Sequence, residues 1–394
     1  MFLGRHFNRQ LQMPTVKFYL NPYYLTDNYC PEAIQLAEGF RLRGWNVVGN
    51  IDYWRRDDAW LIPLNQEVVQ PDLVIMDHRF VHHTKAWVIQ EHVLSQHESS
   101  CPKVLLERQS GQEMRPQWNR DGWLRFFDLI CATHRTTTHP IHPRIVPWQI
   151  GVISEVRNMI LEPSSNLNHA VLCNFRVRHD VRGDLVRSIE AGLKGQPDSP
   201  EFVNRFDVLG EEASENEKAL NQLTGGRFNP PYFDQLGLHA AVLAFGGYLA
   251  VKPFEYTSMD SEGNVGLRFA TRLERKIRRM LHGSQPKSAR HHVAFQWDSF
   301  RWWESLVAPC APVTLDFDYW GLDLPVLPIE GEHYVGIQKL DGLAVAKKLS
   351  ELGPERLEEI GFAGKAWFEE HYSPRAQADR LLHELFSRGY NISD

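Results

Sequence analysis

The stretch Phe295–Phe317, FQWDSFRWWESLVAPCAPVTLDF, sets Ser299, Arg301 and Glu304 among phenylalanines and three tryptophans. A helix opening after Asp298, a natural N-cap type, would put Phe300, Trp303, Leu306 and Val307 on one buried stripe. Arg301 and Glu304, three apart, would share another face. A guanidinium donates to oxyanions and a carboxylate accepts from hydroxyls, so the open face has the chemistry of recognition. The bland alternative is an exposed i,i+3 ion pair contributing a few tenths of a kcal/mol.

Other residues of useful type end the apolar runs. In NFRVRHDVRGDL, Asn174, Arg176, Arg178 and Arg182 lie in and behind a loop at a strand's carboxyl end. They suit phosphate contact, or form a solvated charge run. Lys252 follows an apolar run in LAVKPF and reads as a point charge for phosphate or as a solvated strand end. Asp27 in LTDN follows the first strand, Asp77, His78 and Arg79 close DLVIMD, and Glu107 and Arg108 follow KVLL. A His or carboxylate in a partly dry cleft serves as a general base, although loop residues of these types are commonly plain polar surface.

The elements that must position these residues alternate. TVKFYLN, NVVGNID, DLVIMD, KVLLE and DLICAT read as strands, with CPEAIQLAEGFRLRGW and AWVIQEHVL as helices, the rhythm of a parallel sheet covered on both faces. After VPWQIGV and a helical ISEVRNMIL, the Pro/Ser/Asn stretch at 162–168 reads as a linker. A second series follows: HAVLCNF, a helical RGDLVRSIEAGL, RFDVLG as a strand, YFDQLGLHAAVLAF, HHVAFQ, the Phe295 helix, APVTLDF and LPVLPI. The rest is nearly all helix, interrupted at Pro354 and Pro374. The expected organisation is a Rossmann-like domain over 1–162, a second over 168–372, and a closing helix over 373–394 that packs back on the first.

Composition agrees with such a chain. At 394 residues it exceeds one ordinary core, since domains run roughly 100–200 residues. A hydrophobic content of 43%, a charged content of 23% and a net charge of -6 point to a soluble globular protein and away from a general nucleic-acid binder. Five scattered cysteines with no C-x-x-C pair argue for thiols in a reducing compartment, and no apolar run reaches the ~20 residues of a membrane span, so the expected location is cytoplasmic. Neither G-x-G-x-x-G after a strand nor G-x-x-x-x-G-K-[ST] occurs, which removes the usual support for a dinucleotide enzyme or a P-loop ATPase.

With these residues in view, the Ser299 stretch resembles the S-x-R-x-x-E-[AS]-L-x-x-G-x-x-P-V segment of glycosyltransferases of the GT-B architecture, particularly the spore-maturation-type and exostosin-like groups. It stands here as Ser299, Arg301, Glu304, Ser305, Leu306, Pro312 and Val313, with Pro309 and Cys310 where the pattern has Gly. RLEEIGFAGKAWFEEHYSPRAQADRLL is similar to the closing helices of those families, and LAEGFRLRGWNVV to their first helix. The resemblance touches both halves and about a third of the chain. It implies an α/β fold of two Rossmann-like domains facing a cleft, with C-terminal helices. It also implies Glu304 on a donor ribose, Ser299 and Arg301 near its phosphates, the diphosphate beside the loop of Asn174, Arg176 and Arg178, and an acceptor on the first domain. Lys252 as a further phosphate contact and Asp27, Asp77 or His78 as base follow from residue type and place alone.

The expected activity is metal-independent transfer of a sugar from a nucleotide diphosphate donor to a hydroxyl of a glycan or glycoconjugate, with no cofactor beyond the nucleotide-sugar itself. The alternatives are a non-catalytic GT-B-like module and a nucleotide-sugar epimerase. Asp316 and Asp318 form a D-x-D, the manganese signature of the other large glycosyltransferase class, but strand alternation with Phe317 turned inward also accounts for them. No H-E-x-x-H occurs among the histidines. GLRFATRLERKIRRMLHG reads as a basic amphipathic helix, with Arg268, Arg272, Arg275 and Arg279 either on plain surface or contacting an anionic membrane face or acidic acceptor.

Overall fold

The computed structural model describes residues 13–21, 29–65, 70–84, 89, 93–108, 126–137, 142–160, 167–175, 180–194, 196, 198–246, 248–251, 254–259, 265–269 and 292–392. Asp27, Arg176, Arg178, Lys252, Arg272, Arg275 and Arg279 lie outside the described residues, as do most of the linker stretch and of AWVIQEHVL.

The first half builds β1 (Thr15–Tyr19), β2 (Asn46–Gly49), β3 (Tyr53–Arg56), β4 (Ala59–Ile62), β5 (Leu73–Asp77), β6 (Lys103–Glu107), β7 (Leu129–Ala132) and β8 (Ile145–Pro147). Six form a parallel sheet in the order β2-β1-β5-β6-β7-β8, and β3 and β4 pair as a separate antiparallel hairpin that the alternation does not reveal. β5 and β7 are buried along their whole length, as continuous apolar runs require in a sheet covered on both faces. The helices are α1 (Pro31–Leu42), α2 (His78–His83) and α3 (Ser154–Met159).

The second half contains β9 (Asn168–Cys173), β10 (Glu201–Asn204), β11 (His239–Leu243), β12 (Tyr248–Val251), β13 (Phe254–Met259), β14 (Val265–Phe269), β15 (His292–Gln296), β16 (Ala311–Leu315) and β17 (Val335–Ile337). Its parallel sheet runs β10-β9-β11-β16-β17. The helices are α4 (Asp180–Lys194), α5 (Glu215–Leu223), α6 (Pro230–Leu236), α7 (Phe300–Val307), α8 (Phe317–Trp320), α9 (Gly342–Tyr372) and α10 (Pro374–Ser387). Gly353, at φ 67°, breaks α9 just before Pro354. α10 packs on α1, where Gly39 lies so close to the Pro374 carbonyl that any Cβ would overlap it, and Arg43 pairs with Asp379.

Four readings of the sequence change. The strand expected at RFDVLG is a loop; β10 ends at Asn204, and Asp207 is turned into that loop by hydrogen bonds with Asn174. LPVLPI is no strand, and the last strand of the sheet is β17, which starts six residues after LPVLPI ends. HHVAFQ does form β15, but it pairs antiparallel with β12 outside the main sheet. The expected basic helix opens instead with β14, whose Arg268 sits opposite Glu255 of β13 in a hairpin register.

Candidate functional site

The α7 helix opens one residue later than its sequence suggests. Ser299, not Asp298, is the N-cap: its Oγ accepts from Trp302 N at 3.3 Å and donates to the Ala244 carbonyl at 3.0 Å. Asp298 is buried and ties the two halves together, accepting from Ile150 N at 2.9 Å and from Trp303 Nε1 at 2.5 Å while its own N–H donates to His134 Nδ1. Burial pushes its pKa up to about 8 against those hydrogen bonds.

That shift in helix start reassigns the faces. Trp302, Trp303, Leu306 and Val307 are buried, Trp303 against Trp367, Phe368 and Tyr372, and Phe300 is only partly buried. Glu304 is not on an open face: it is 5% exposed and lines a cleft of about 560 Å³. Arg301 and Arg227 line the same cleft, and neither is ion-paired with Glu304 or with any other described carboxylate. Burial raises the Glu304 pKa to about 7, with Arg301 and then Arg227 opposing the rise. The exposed i,i+3 pair is therefore excluded.

Each cation has a support that leaves donors for a ligand. Arg301 Nε donates to the Asn174 carbonyl at 2.6 Å, and its guanidinium lies 5.5 Å from the Tyr232 ring. Arg227 donates to the Thr224 carbonyl and lies 4.6 Å over Phe300, which stacks on Tyr29 across the cleft at 5.8 Å. Arg182 sits behind, 4.1 Å over Phe175 and bonded to the Phe245 carbonyl; burial and then Arg301 bring its pKa down to about 10. Asn174 itself is 1% exposed and holds Asp207, so it positions Arg301 and the 205–210 loop. From that loop Phe206 and Val208, 46% and 63% exposed, reach the cleft mouth.

On the other wall, Asp77 and His78 are buried to 1% and 4%, with His78 Nδ1 2.9 Å from Asp77 Oδ1. Burial would raise the Asp77 pKa, but His78, Arg108 and Arg79 outweigh it and hold the carboxyl below its usual range. Arg108 donates to the Tyr29 carbonyl at 2.7 Å and lies 3.6 Å from Glu32, whose pKa burial raises despite Arg108. Glu107 is buried at the end of β6. What this wall presents to the cleft is Arg79, Arg108, His134 and Ile150, rather than Asp77 or His78.

Arg227, Asp298, Tyr232 and His134 also line the cleft, and no motif or spacing in the sequence marks them as site residues. Arg227 follows the Gly225–Gly226 turn, both at positive φ, which brings a loop back over the cleft. His134 follows β7 with φ 55°, and because Nδ1 accepts from Asp298 N it carries its proton on Nε2, a donor rather than a base in this state. Asp316 follows β16 and N-caps α8 through Tyr319 N at 2.8 Å, so the D-x-D is a helix start rather than strand alternation, although Phe317 does turn inward. Among the described residues no group of three His, Cys, Asp or Glu is disposed to hold a metal ion.

No family model and no curated relative matches the chain. Among solved structures, an alpha-glucosyltransferase in complex with UDP and a 13-mer DNA containing a HMU base is similar with TM-score 0.51 at 10% identity, over 95% of this chain and 100% of that one. An alpha-glucosyltransferase with UDP and a DNA containing a central A:G mismatch gives 0.50 at 11%, over 94% and 99%. A glycosyltransferase from Rickettsia africae ESF-5 gives 0.47 at 10%, over 96% and 99%. Two parallel α/β sheets flanking one cleft, with a last helix returning to the first, superpose on the former two over nearly the whole chain: the protein has the GT-B fold.

Proposed function

We propose that this chain is a glycosyltransferase that moves a sugar from a nucleotide diphosphate donor to a hydroxyl of a glycan or glycoconjugate. One observation carries the reading: Glu304, buried at the cleft surface between two guanidiniums to which it is not ion-paired. A carboxylate kept off its neighbouring cations is free to accept from vicinal ribose hydroxyls, and Arg301 is free for the diphosphate. In this reading Arg301 and the amino end of α7 take the phosphates, with Asn174 positioning Arg301. Ser299 contributes as the cap, since its hydroxyl is engaged on both sides. Fixed guanidiniums stabilise a departing diphosphate without a cation, which makes metal-independent transfer the expectation. The similar structures that hold UDP support a nucleotide donor, and the net charge of -6 favours a glycan over the DNA held by those neighbours.

A panel of nucleotide sugars, read by thermal stabilisation and by release of nucleoside diphosphate, tests the proposal in excess chelator. The transferase reading expects stabilisation by one donor and its slow hydrolysis, unaffected by chelator. Interconversion of the sugar without release would make the protein an epimerase, and binding without turnover a recognition module. Activity lost on chelation and restored by manganese would end the metal-independent mechanism.

A further inference from the structure

The N-terminal wall carries a positive charge that the donor does not use. Arg79 and Arg108 line the cleft from the carboxyl ends of β5 and β6, and among the described residues no carboxylate of that half lines it. The acids that balance them, Glu32 and Asp77, are each 1% exposed and lie behind the cleft surface. They hold the guanidiniums in place while hiding their own charge. Arg79 Nη1 is buried and has no hydrogen-bond partner among the described residues. From the opposite wall Arg227 presents a third guanidinium, whose pKa is lowered first by burial and then by Arg108. Like charges converging from two halves of a chain repel one another until an anion fills the space between them.

We propose that Arg79 and Arg108, faced by Arg227, form an oxyanion half-site on the acceptor side of the cleft, so that the acceptor carries a phosphoryl or carboxylate group besides the hydroxyl that is glycosylated. Both groups match the two-pronged donor geometry of a guanidinium. Calling the occupant an acceptor rests on the transferase reading; the oxyanion site does not.

Calorimetric titration of the full chain with glycerol 3-phosphate, glucuronate and glucose, each with and without the best-bound of UDP, GDP, ADP and CDP, decides between the two anions and tests the site. One anionic probe should bind at least tenfold more tightly than glucose and should not be displaced by the nucleotide. Arg79→Gln should weaken that probe at least tenfold and leave the nucleotide within twofold, Arg79→Lys should recover part of the loss, and Arg301→Gln should show the reverse preference. Arg79 is partly exposed, so an unchanged melting temperature is expected to accompany the loss. Equal binding of glucose and both anions, or an Arg79→Gln loss shared equally by nucleotide and anion, would overturn the site. Arg79-dependent binding of an anion by a protein that takes none of the nucleotides would refute the transferase reading and leave the oxyanion site standing.

Discussion

Arg108, on the N-terminal wall of the cleft, has Glu32 3.6 Å away and Asp77 within electrostatic reach, and these acids hold its pKa well above the usual value against the opposing effect of burial. Arg301 and Arg227, on the C-terminal wall, rest on backbone carbonyls and aromatic rings and form no ion pair with a described residue. One wall is a balanced buried network that shows the cleft only its cationic edge. The other keeps carboxylate and guanidinium apart, and so has unspent capacity for a ligand. A substitution inside the buried network, as at Arg108, should therefore register mainly as lost stability, and one at a cleft residue outside any described ion pair, as at Arg301 or Glu304, as lost affinity.

The largest expected effect tests the first wall. Arg108→Met strands Glu32 and Asp77 in the interior and should cost about 3–5 kcal/mol in denaturant unfolding, as removal of one member of a buried ionic network does. A loss below about 1 kcal/mol would mean that the acids take up protons and that the two walls do not differ. Trp303→Ala sharpens the contrast within the second half, because Trp303 is fully buried and its indole donates to Asp298. It should cost a similar ~3–5 kcal/mol and should weaken nucleotide binding only as far as the fold is lost.

Glu304→Gln should show the opposite pattern. Nucleotide affinity should fall by about 1.5–3 kcal/mol, roughly ten- to a hundredfold, as when a charged hydrogen-bond partner is removed. Stability at pH 8 should not fall. The sign follows from the raised pKa values of about 7 for Glu304 and about 8 for Asp298. The folded state holds these protons at a pH where the unfolded chain releases them. Their contribution is thus complete below the ordinary carboxylate range and lost as pH rises through 7 and 8. The melting temperature of the parent should decline over that interval, and Glu304→Gln should narrow the decline. Asp77, with its lowered pKa, acts in the other direction, and its contribution is lost only in acid. A variant that declines as steeply as the parent would remove Glu304 from the buried, titrating side of the comparison.

The smallest effect concerns a carboxylate outside both walls. Asp316→Ala removes the cap of α8 and a hydrogen bond from Gln338, for about 1 kcal/mol of stability. Nucleotide affinity should be unchanged with or without chelator, and a chelator-sensitive loss would return the D-x-D to metal chemistry.

The two walls also differ in how far they could be read from the chain. Ser299, Arg301 and Glu304 lie within six residues on one short helix, so their types, spacing and resemblance located half of the site. The opposite wall draws Arg79, Arg108, His134 and Ile150 from the ends of four successive strands, and Arg227 arrives on a loop that also carries no local periodicity. Parallel order brings strand ends together, but sequence spacing does not say which side chain of each end turns toward the cleft.

The alternation of strands and helices, the two sheets and the break at Pro354 are legible along the chain, because apolar runs and helical stripes are local properties that any sheet or helix must satisfy. The rest depends on how distant segments pack. That packing made Ser299 rather than Asp298 the cap, because Asp298 is taken by Ile150 and Trp303. It buried Glu304, which helical periodicity placed on an open face, because Arg227 and Tyr232, distant in the chain but in the same half, crowd that face. It also withdrew Asp77 and His78 from the cleft surface and left Arg79 and Arg108 there. Burial and charge balance are sums over neighbours distant in the chain, and a linear pattern carries no record of those neighbours until the two halves meet.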